Sequence, residues 1–400
     1  MKNNKAVLAF SGGLDTTYCA VYLAEELGLE VHGVLVDTGG FDQAELAAIC
    51  KRAQALGLAS FEILPREEEY YRQVIKYLIF GNVLKNNTYP LSVSAERTVQ
   101  ALAIAHYARQ MGAGYVAHGS TGAGNDQVRF DLIFNTVIPD ITILTPIRDQ
   151  QLSRQQEMDY LHKHGVDIDF KQARYSINRG LWGTSVGGVE TLTSSSPLPE
   201  EAWPSSLQRQ EPQPVTLTFE KGEPVALDGR QMSPVQVIKE LNKLGAAYAI
   251  GRDIHMGDTI IGIKGRVGFE APAALLIIKA HHLLEKHVLG KWQLYWKAQL
   301  ADWYGMLLHE AQYLDPVMRN IEQFLTSTQE QVSGEVYLTL HPYRFTLDGI
   351  NSPYDLHNSA FGAYGEMNKA WRGEDVKGFT KILANGLQLY HQTTQQHDKS

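Results

Sequence analysis

Ala6-Val7-Leu8-Ala9-Phe10-Ser11-Gly12-Gly13-Leu14-Asp15-Thr16-Thr17 reads as strand, glycine loop and helix in that order. The run to Phe10 is short and apolar, as in a buried strand, and Tyr18, Val21, Tyr22 and Leu23 continue at helical spacing. Gly12 and Gly13 allow the backbone to turn tightly and to come close to an anion. Ser11, Thr16 and Thr17 supply hydroxyls, and the unpaired N–H groups of the first helical turn, aided by the helix dipole, point at whatever the loop holds. The stretch is therefore suited to phosphates. A carboxylate in such a loop, here Asp15, either caps the helix or shares the phosphates with a divalent cation. A ligand-free capped turn accounts for Gly, Ser and Asp one at a time, but not for the whole succession at a strand end. The spacing is neither Gly-x-x-x-x-Gly-Lys-Ser/Thr nor Gly-x-Gly-x-x-Gly, so neither a P-loop nor a dinucleotide fold is indicated.

Outward from this loop the same alternation continues. Residues 31–36 read as a second buried strand, ending at Asp37-Thr38-Gly39-Gly40; a helical pattern covers 43–56 and a third strand 60–64. Strands alternating with helices imply parallel βαβ units with right-handed crossovers, and ligands then gather at the carboxyl ends of the strands. Val36 and the two glycines after it are placed to flank an adenine or ribose. Residues 70–111 are helical in pattern, interrupted at 86–90, and His106 on the second half reads as a packing residue. A strand at 115–118 leads into Gly119-Ser120-Thr121-Gly122-Ala123-Gly124-Asn125-Asp126-Gln127-Val128-Arg129-Phe130. A solvated loop explains the glycines of that cluster. It does not explain the Asn-Asp-Gln-x-Arg run entering Phe130, Leu132, Ile133 and Phe134, which reads instead as a substrate site.

Four hundred residues suggest two domains plus an appendage. A net charge of −8 without a dense Lys/Arg block argues against nucleic acid as a partner. Cys19 and Cys50 fall in helical patterns with no metal or redox spacing, which suits a reducing compartment. No signal-peptide core precedes the first strand, and no run of about 18 apolar residues offers a membrane span. The expectation is a cytoplasmic protein without a membrane partner. Beyond about residue 150 a second unit begins. Hairpins are expected at 215–228, turning at Lys221-Gly222-Glu223, and at 336–349, turning at His341-Pro342-Tyr343. Helical patterns cover 233–244, 271–289 and 292–314. Trp292, Trp296, Trp303 and Leu307 fall near one face of the last, a stripe typical of a core or a subunit interface. His281, His282 and His287 lack an acid or cysteine at ligand spacing, so no metal site is expected. Phe379, Ile382, Leu383, Leu387, Leu389 and Tyr390 make a late amphipathic segment.

Ser11-Gly12-Gly13-Leu14-Asp15-Thr16 resembles the pyrophosphate loop of the N-type ATP pyrophosphatases. With Tyr89-Pro90-Leu91, the block from Gly119 to Phe130, Tyr175-Ser176-Ile177-Asn178, Leu181-Trp182-Gly183-Thr184-Ser185, the segment at 219–227, Gly251-Arg252-Asp253 and Glu270-Ala271-Pro272-Ala273, the chain resembles the argininosuccinate synthase family. The similarity runs in order along most of the chain, weakening at 194–214 and after about Pro353. The resemblance implies an α/β fold. A parallel-sheet nucleotide-binding domain would occupy 1–165, a second α+β synthetase domain 166–360, and an oligomerisation segment of a homotetramer 361–400. It implies a ligation in which citrulline is adenylated by ATP with Mg²⁺, releasing pyrophosphate, and aspartate then displaces AMP to give argininosuccinate. Such chemistry asks for positioning and charge stabilisation, with no covalent nucleophile and no metal held by the protein alone. By family position, Ala9, Phe10, Ser11, Gly12, Gly13, Leu14, Asp15, Thr16, Thr17, Val36 and Gly119 would bind ATP. Thr121, Asn125 and Asp126 would bind aspartate, and Tyr89, Ser94, Asn125, Arg129, Ser176 and Ser185 citrulline, with Asp15, Asn125 and Asp126 as the positioning residues. Arg129 suits a carboxylate by a bidentate pair, with Arg97 nearby to assist.

The departures from the family pattern are informative too. Gly187 and Gly257 stand where the family has glutamates, Phe269 where it has tyrosine, Asn178 where it has aspartate, and Ala123 where it usually has lysine. The first four lie on the side that in the family surrounds the α-ammonium of citrulline, and a buried ammonium without carboxylates is strongly disfavoured. Two readings stay open: a substrate whose amine is masked as N-acylcitrulline (acetyl or succinyl), with Gly187, Gly257 and Phe269 forming a remodelled pocket, or compensation by other residues. Rivals within the fold are a tRNA-thiolating enzyme, disfavoured by the helical placement of both cysteines, and an amide-forming ligase, disfavoured by the lack of an amidotransferase domain. From another class, a non-catalytic ATP-binding regulator is permitted by the lost acids and opposed by the intact loop.

Overall fold

The structure, a computed structural model, describes residues 3–166, 175–357, 361–362, 364–366 and 370–397. β1 (Lys5–Ala9), β2 (Glu30–Asp37), β3 (Ser60–Pro65), β4 (Tyr115–Ala117) and β5 (Thr142–Leu144) form one sheet, ordered β3-β2-β1-β4-β5 with every pair parallel. The helices between them are α1 (Leu14–Glu25), α2 (Gln43–Ala55), α3 (Glu67–Tyr70), α4 (Lys76–Phe80), α5 (Glu96–Gln110), α6 (Asp126–Val137), α7 (Pro146–Gln150) and α8 (Arg154–Lys163). The pleat of β1 sends alternate side chains to opposite layers. Val7 packs with Ile104, Ala108, Phe130 and Phe134 of α5 and α6. Leu8 packs with Tyr18, Leu23, Ile49 and Ala53 of α1 and α2. The strand order reverses at β1, between β2 and β4, so the loops leaving β1 and β4 open the crevice where an α/β sheet takes its ligand.

The helical pattern over 70–111 breaks earlier and for longer than its sequence suggests. α3 passes through a π turn at Tyr71–Ile75 into α4, which stops at Phe80, and no helix resumes until Glu96. Asn82, Asn86, Asn87 and Leu91 all have positive φ, a conformation that ends a helix and that asparagine tolerates best. His106 is exposed on α5 rather than packed.

Two antiparallel sheets follow. β6 (Ser176–Gly180), β7 (Gly183–Gly187), β11 (Arg252–Asp258) and β12 (Lys264–Glu270) order as β11-β12-β7-β6. β8 (Gln213–Glu220), β9 (Glu223–Leu227), β10 (Arg230–Gln231), β13 (Gly334–His341) and β14 (Arg344–Asn351) order as β10-β9-β8-β13-β14. Both expected hairpins form. The first turns at Lys221 and Gly222, φ 46° and 79°, the paired positive values of a tight hairpin turn. α9 (Pro234–Ala247) starts from a Ser233–Gln236 capping box with Pro at its first turn. α10 (Pro272–Val288), α11 (Lys291–His309) and α12 (Pro316–Ser327) complete the layer, burying Ile238, Leu241, Ile277, Leu284 and Leu325 against Leu217, Phe219, Val336 and Leu338. Trp292, Trp296 and Trp303 are 69%, 60% and 57% exposed, so the aromatic stripe of α11 is not core.

These elements belong to one compact unit, Met1–Pro353; Tyr354–Ser400 is a second. In the latter, α13 (Gly373–Leu383) and α14 (Asn385–His397) leave Phe379, Ile382, Leu383, Leu387, Leu389 and Tyr390 exposed. Residues 358–360, where the last expected domain boundary falls, lie outside the described residues. No described helix is long and apolar enough to cross a membrane.

Candidate functional site

The glycine loop leaves β1 and passes Gly12, whose φ of 73° suits glycine, into α1. Gly13 caps α1 without any side-chain hydrogen bond, and the first N–H to find a backbone partner is that of Thr17, bonded to Gly13 O at 3.0 Å. The earlier N–H groups are the orphan donors of a helix start, with Ser11 and Thr16 hydroxyls 3.4 Å apart beside them. The loop after β4 comes directly against this turn. A Cβ on Gly119 would lie 3.1 Å from Asp15 Cβ and 3.2 Å from Thr16 N, so a side chain there would press on the first turn of α1. Val36 is 6% exposed, and its side chain belongs to the sheet core. Where the family usually has a lysine, Ala123 is exposed; the stem of Arg148 lies near Gly122, while its guanidinium is paired with Asp131 at 2.7 Å.

α8 adds a residue that the sequence reading missed. Glu157 is buried against Asp15. Burial, then the Asp15 charge and the hydrogen bond between them, push its carboxyl up to about 8. An ordinary glutamate titrates near 4.5, so between that pH and about 8 the folded chain holds a proton that the unfolded chain has lost. The stability linked to it is complete below the lower limit and declines as pH rises through the upper one. Relative to wild type, Glu157→Gln therefore gains thermal stability as pH is raised from 5 to 8.5. Calorimetric melting of both proteins at three pH values checks this, and a gap independent of pH would refute it.

At the start of α6, Asn125 Oδ1 accepts from Ile260 N at 2.9 Å, tying the substrate cluster to the turn between β11 and β12. Asp126 receives Arg97 Nε on one oxygen and Arg129 Nη1 on the other, both at 2.9 Å. Against the desolvation that would raise it, Arg97 and then Arg129 hold its carboxyl down to about 2. Its side chain stays part-exposed, with lone pairs left for a substrate amine. Arg129 itself is buried, and its remaining donors go to His309: Nε and Nη2 to the carbonyl at 3.2 and 3.1 Å, with Nη2 also 3.2 Å from Nδ1. Each of its three nitrogens is thus already engaged by protein, Nη1 by Asp126 and Nε and Nη2 by His309.

Of the expected citrulline residues, Ser176 and Ser185 lie on the sheet of β6, β7, β11 and β12, and Tyr89 packs against it. Ser185 lies opposite Asn178 and Phe269, and Gly187 opposite Ser176, so these residues share one face. The ring of Tyr89 lies 5.4 Å from Phe269 and 5.0 Å from His255, on which it stacks. Ser94 is buried, with its hydroxyl at the Leu91 carbonyl. A Cβ on Gly187 would meet only Ser176, at 3.9 and 4.0 Å, so that position is open. Gly257 is not: His255 Nε2 lies 2.5 Å from where its Cβ would be. Glu190 sits on the other face, receiving the Tyr175 hydroxyl and, on its carbonyl, Arg266. Asp253 shares the substrate face by register, but it is exposed and turned back to Ile254 N at 2.7 Å.

The family model described as "Arginosuccinate synthase N-terminal HUP domain" matches residues 5–167, and "Arginosuccinate synthase C-terminal domain" matches 175–390. The chain is similar to an argininosuccinate synthase of Dictyoglomus turgidum, 37% identical over 394 residues and covering 98% of each chain. It is likewise similar to one of Xylella fastidiosa, 38% identical over 98% of each chain. A third, from Methanocaldococcus jannaschii, is 35% identical over 96% of this chain and 97% of the relative.

Proposed function

Because the chain belongs to the argininosuccinate synthase family and is an ATP-dependent ligase, we propose that it joins citrulline to aspartate by the following division of labour. The ureido oxygen of citrulline attacks the α-phosphorus of ATP, which enters as its magnesium complex, and the bond to the bridging oxygen of pyrophosphate breaks. Residues 11–17 receive the departing pyrophosphate on the N–H groups of α1, where Asp15 would help hold the magnesium that offsets its charge. The aspartate amine, having lost a proton, attacks the ureido carbon, and AMP leaves with the ureido oxygen. Asn125 and Asp126 position aspartate, with Thr121 exposed at the rim of the same loop. The observation that carries this reading is the contact of Gly119 with the first turn of α1, which puts the phosphate loop next to the loop leading into Asp126. The protein acts in the cytoplasm as a homotetramer, with the aromatic stripe of α11 and the apolar residues of α13 and α14 available for subunit contacts.

The citrulline carries an acyl group on its α-nitrogen. Its support is the face shared by Asn178, Ser185, Gly187 and Phe269, where Asp253 is the carboxylate in register and is turned away, and where Gly187 leaves space. Pyrophosphate release with Mg-ATP and aspartate is expected to be at least tenfold more efficient, in kcat/KM, with N-acetyl- or N-succinylcitrulline than with citrulline. Preference for free citrulline would end the acyl reading and leave the ligase reading standing; no release with any of the three would end both.

A further inference from the structure

A closed ring of side chains joins the nucleotide end of the sheet to the aspartate loop. Glu96 opens α5, and its Oε2 accepts from Thr38 Oγ1, just past β2, at 2.9 Å. Its Oε1 receives Arg97 Nη1 at 2.8 Å. The same Nη1 donates to Gln100 Oε1 at 2.9 Å, and Gln100 Nε2 returns to Thr38 Oγ1 at 3.2 Å. Arg97 then carries the ring outward, through Nε, to Asp126. Glu96 is 1% exposed, and the space for its carboxylate exists because residue 180 is glycine: a Cβ there would collide with Oε2. The charged and titratable groups facing it are Arg97, Asp126 and the buried Tyr70, whose hydroxyl donates to the Ser92 carbonyl.

We propose that Glu96 is a positioning residue for the aspartate substrate: by taking one arm of Arg97 it divides that cation between two carboxylates and leaves Asp126 negative enough to hold the substrate amine. Without the charge on Glu96, Arg97 falls wholly to Asp126 and competes with the amine for it. The inference rests on the assignment of Asp126 to aspartate above. Burial is the largest influence on Glu96 and pushes it up to about 7, against the pull of Arg97 and Thr38. Its charge thus changes across the neutral range, and aspartate affinity changes with it.

The test is the KM for aspartate from pH 6 to 8.5, measured with ATP and the preferred citrulline saturating. In the wild type it falls by about fivefold as Glu96 ionises, the share of one charge-assisted hydrogen bond. Glu96→Gln keeps the high value throughout and loses that pH dependence, whereas the KM for ATP moves less than twofold between the two proteins. Thr38→Val, which removes a bond to the ionised carboxylate, shifts the wild-type transition to higher pH. A Glu96→Gln profile parallel to wild type, or an equal rise in the KM of all three substrates, would overturn the proposal. A protein that turns over without aspartate dependence would instead overturn the assignment of Asp126.

Discussion

Asp126→Asn is expected to lose argininosuccinate formation by on the order of 10²–10³-fold in kcat/KM for aspartate, the usual consequence of removing one partner of a desolvated charge pair. The substitution keeps the shape of the side chain and removes the charge that faces Arg97 and Arg129. Both guanidiniums are nearly buried and keep their charge: Arg97 retains Glu96 as a carboxylate partner, whereas Arg129 is left with the neutral groups of His309. In the proposed division of labour the first half of the reaction uses the α1 loop and the citrulline face, neither of which contains Asp126. Exchange of labelled pyrophosphate into ATP, driven by the citrulline substrate alone, should therefore survive in the variant far better than condensation does. Equal loss in both assays would mean that Asp126 supports the site as a whole and not the aspartate step. The acid limit follows from the same group. Its folded value near 2 lies below the ordinary carboxylate range, so its contribution to stability is present above about pH 4 and is lost as pH falls through 2.

The second large effect lies in the core of the synthetase part. Glu285 and Lys297 are buried and paired at 2.8 Å, and Lys297 also donates to the Phe80 carbonyl at 2.6 Å. Asn82 and Gln329 donate to the two Glu285 oxygens at 2.5 and 3.0 Å, and the His281 ring nitrogens lie 2.6 and 2.9 Å from their amide oxygens. Burial works against the Glu285 charge, but His281, Lys297 and these hydrogen bonds hold its carboxyl below the usual range. The Glu285→Gln variant leaves an ammonium buried without its anion, at a cost of roughly 3–5 kcal/mol. A fall of roughly 10 °C in the melting midpoint is the expected reading. Adding Lys297→Met removes the stranded charge, so the double variant should melt well above the single one. A double variant no more stable than Glu285→Gln would show that shape, and not charge, is what the pair contributes.

Much of the fold was legible because its signals are local. The strand, glycine loop and helix at the amino end, the two hairpin turns and the helix over 233–244 each depend on residues a few positions apart, and all appear where their patterns place them. Over 70–111 the helical spacing, interrupted at 86–90, overstates the helix: such spacing of apolar residues also occurs in a looped segment whose backbone is turned by asparagines of positive φ. The Trp stripe of α11 was consistent with core or interface, and only the packing of the neighbouring elements leaves it exposed. At the site, the loop at 11–17 and the cluster from Gly119 to Arg129 stand out as polar and glycine-rich runs at strand ends. Glu96, Glu157, His255 and His309 carry no such signal. A glutamate in the first turn of a helix reads as a favourable dipole partner, and a buried histidine reads as packing.

By itself, then, the sequence determined where most strands, loops and helices fall, that the first sheet is parallel, and that its carboxyl ends carry glycine-rich and polar clusters. Those features follow from steric and hydrophobic preferences acting over one or two turns of chain. Tertiary structure alone decided which charges share a proton or a cation: Glu96 with Thr38 across 58 residues, Arg129 with His309 across 180, and Glu157 with Asp15. It also decided that His255 takes the space beside Gly257, while Gly187 stays open. Desolvation and hydrogen bonding depend on what folding brings within a few ångströms, so no spacing along the chain could have stated them.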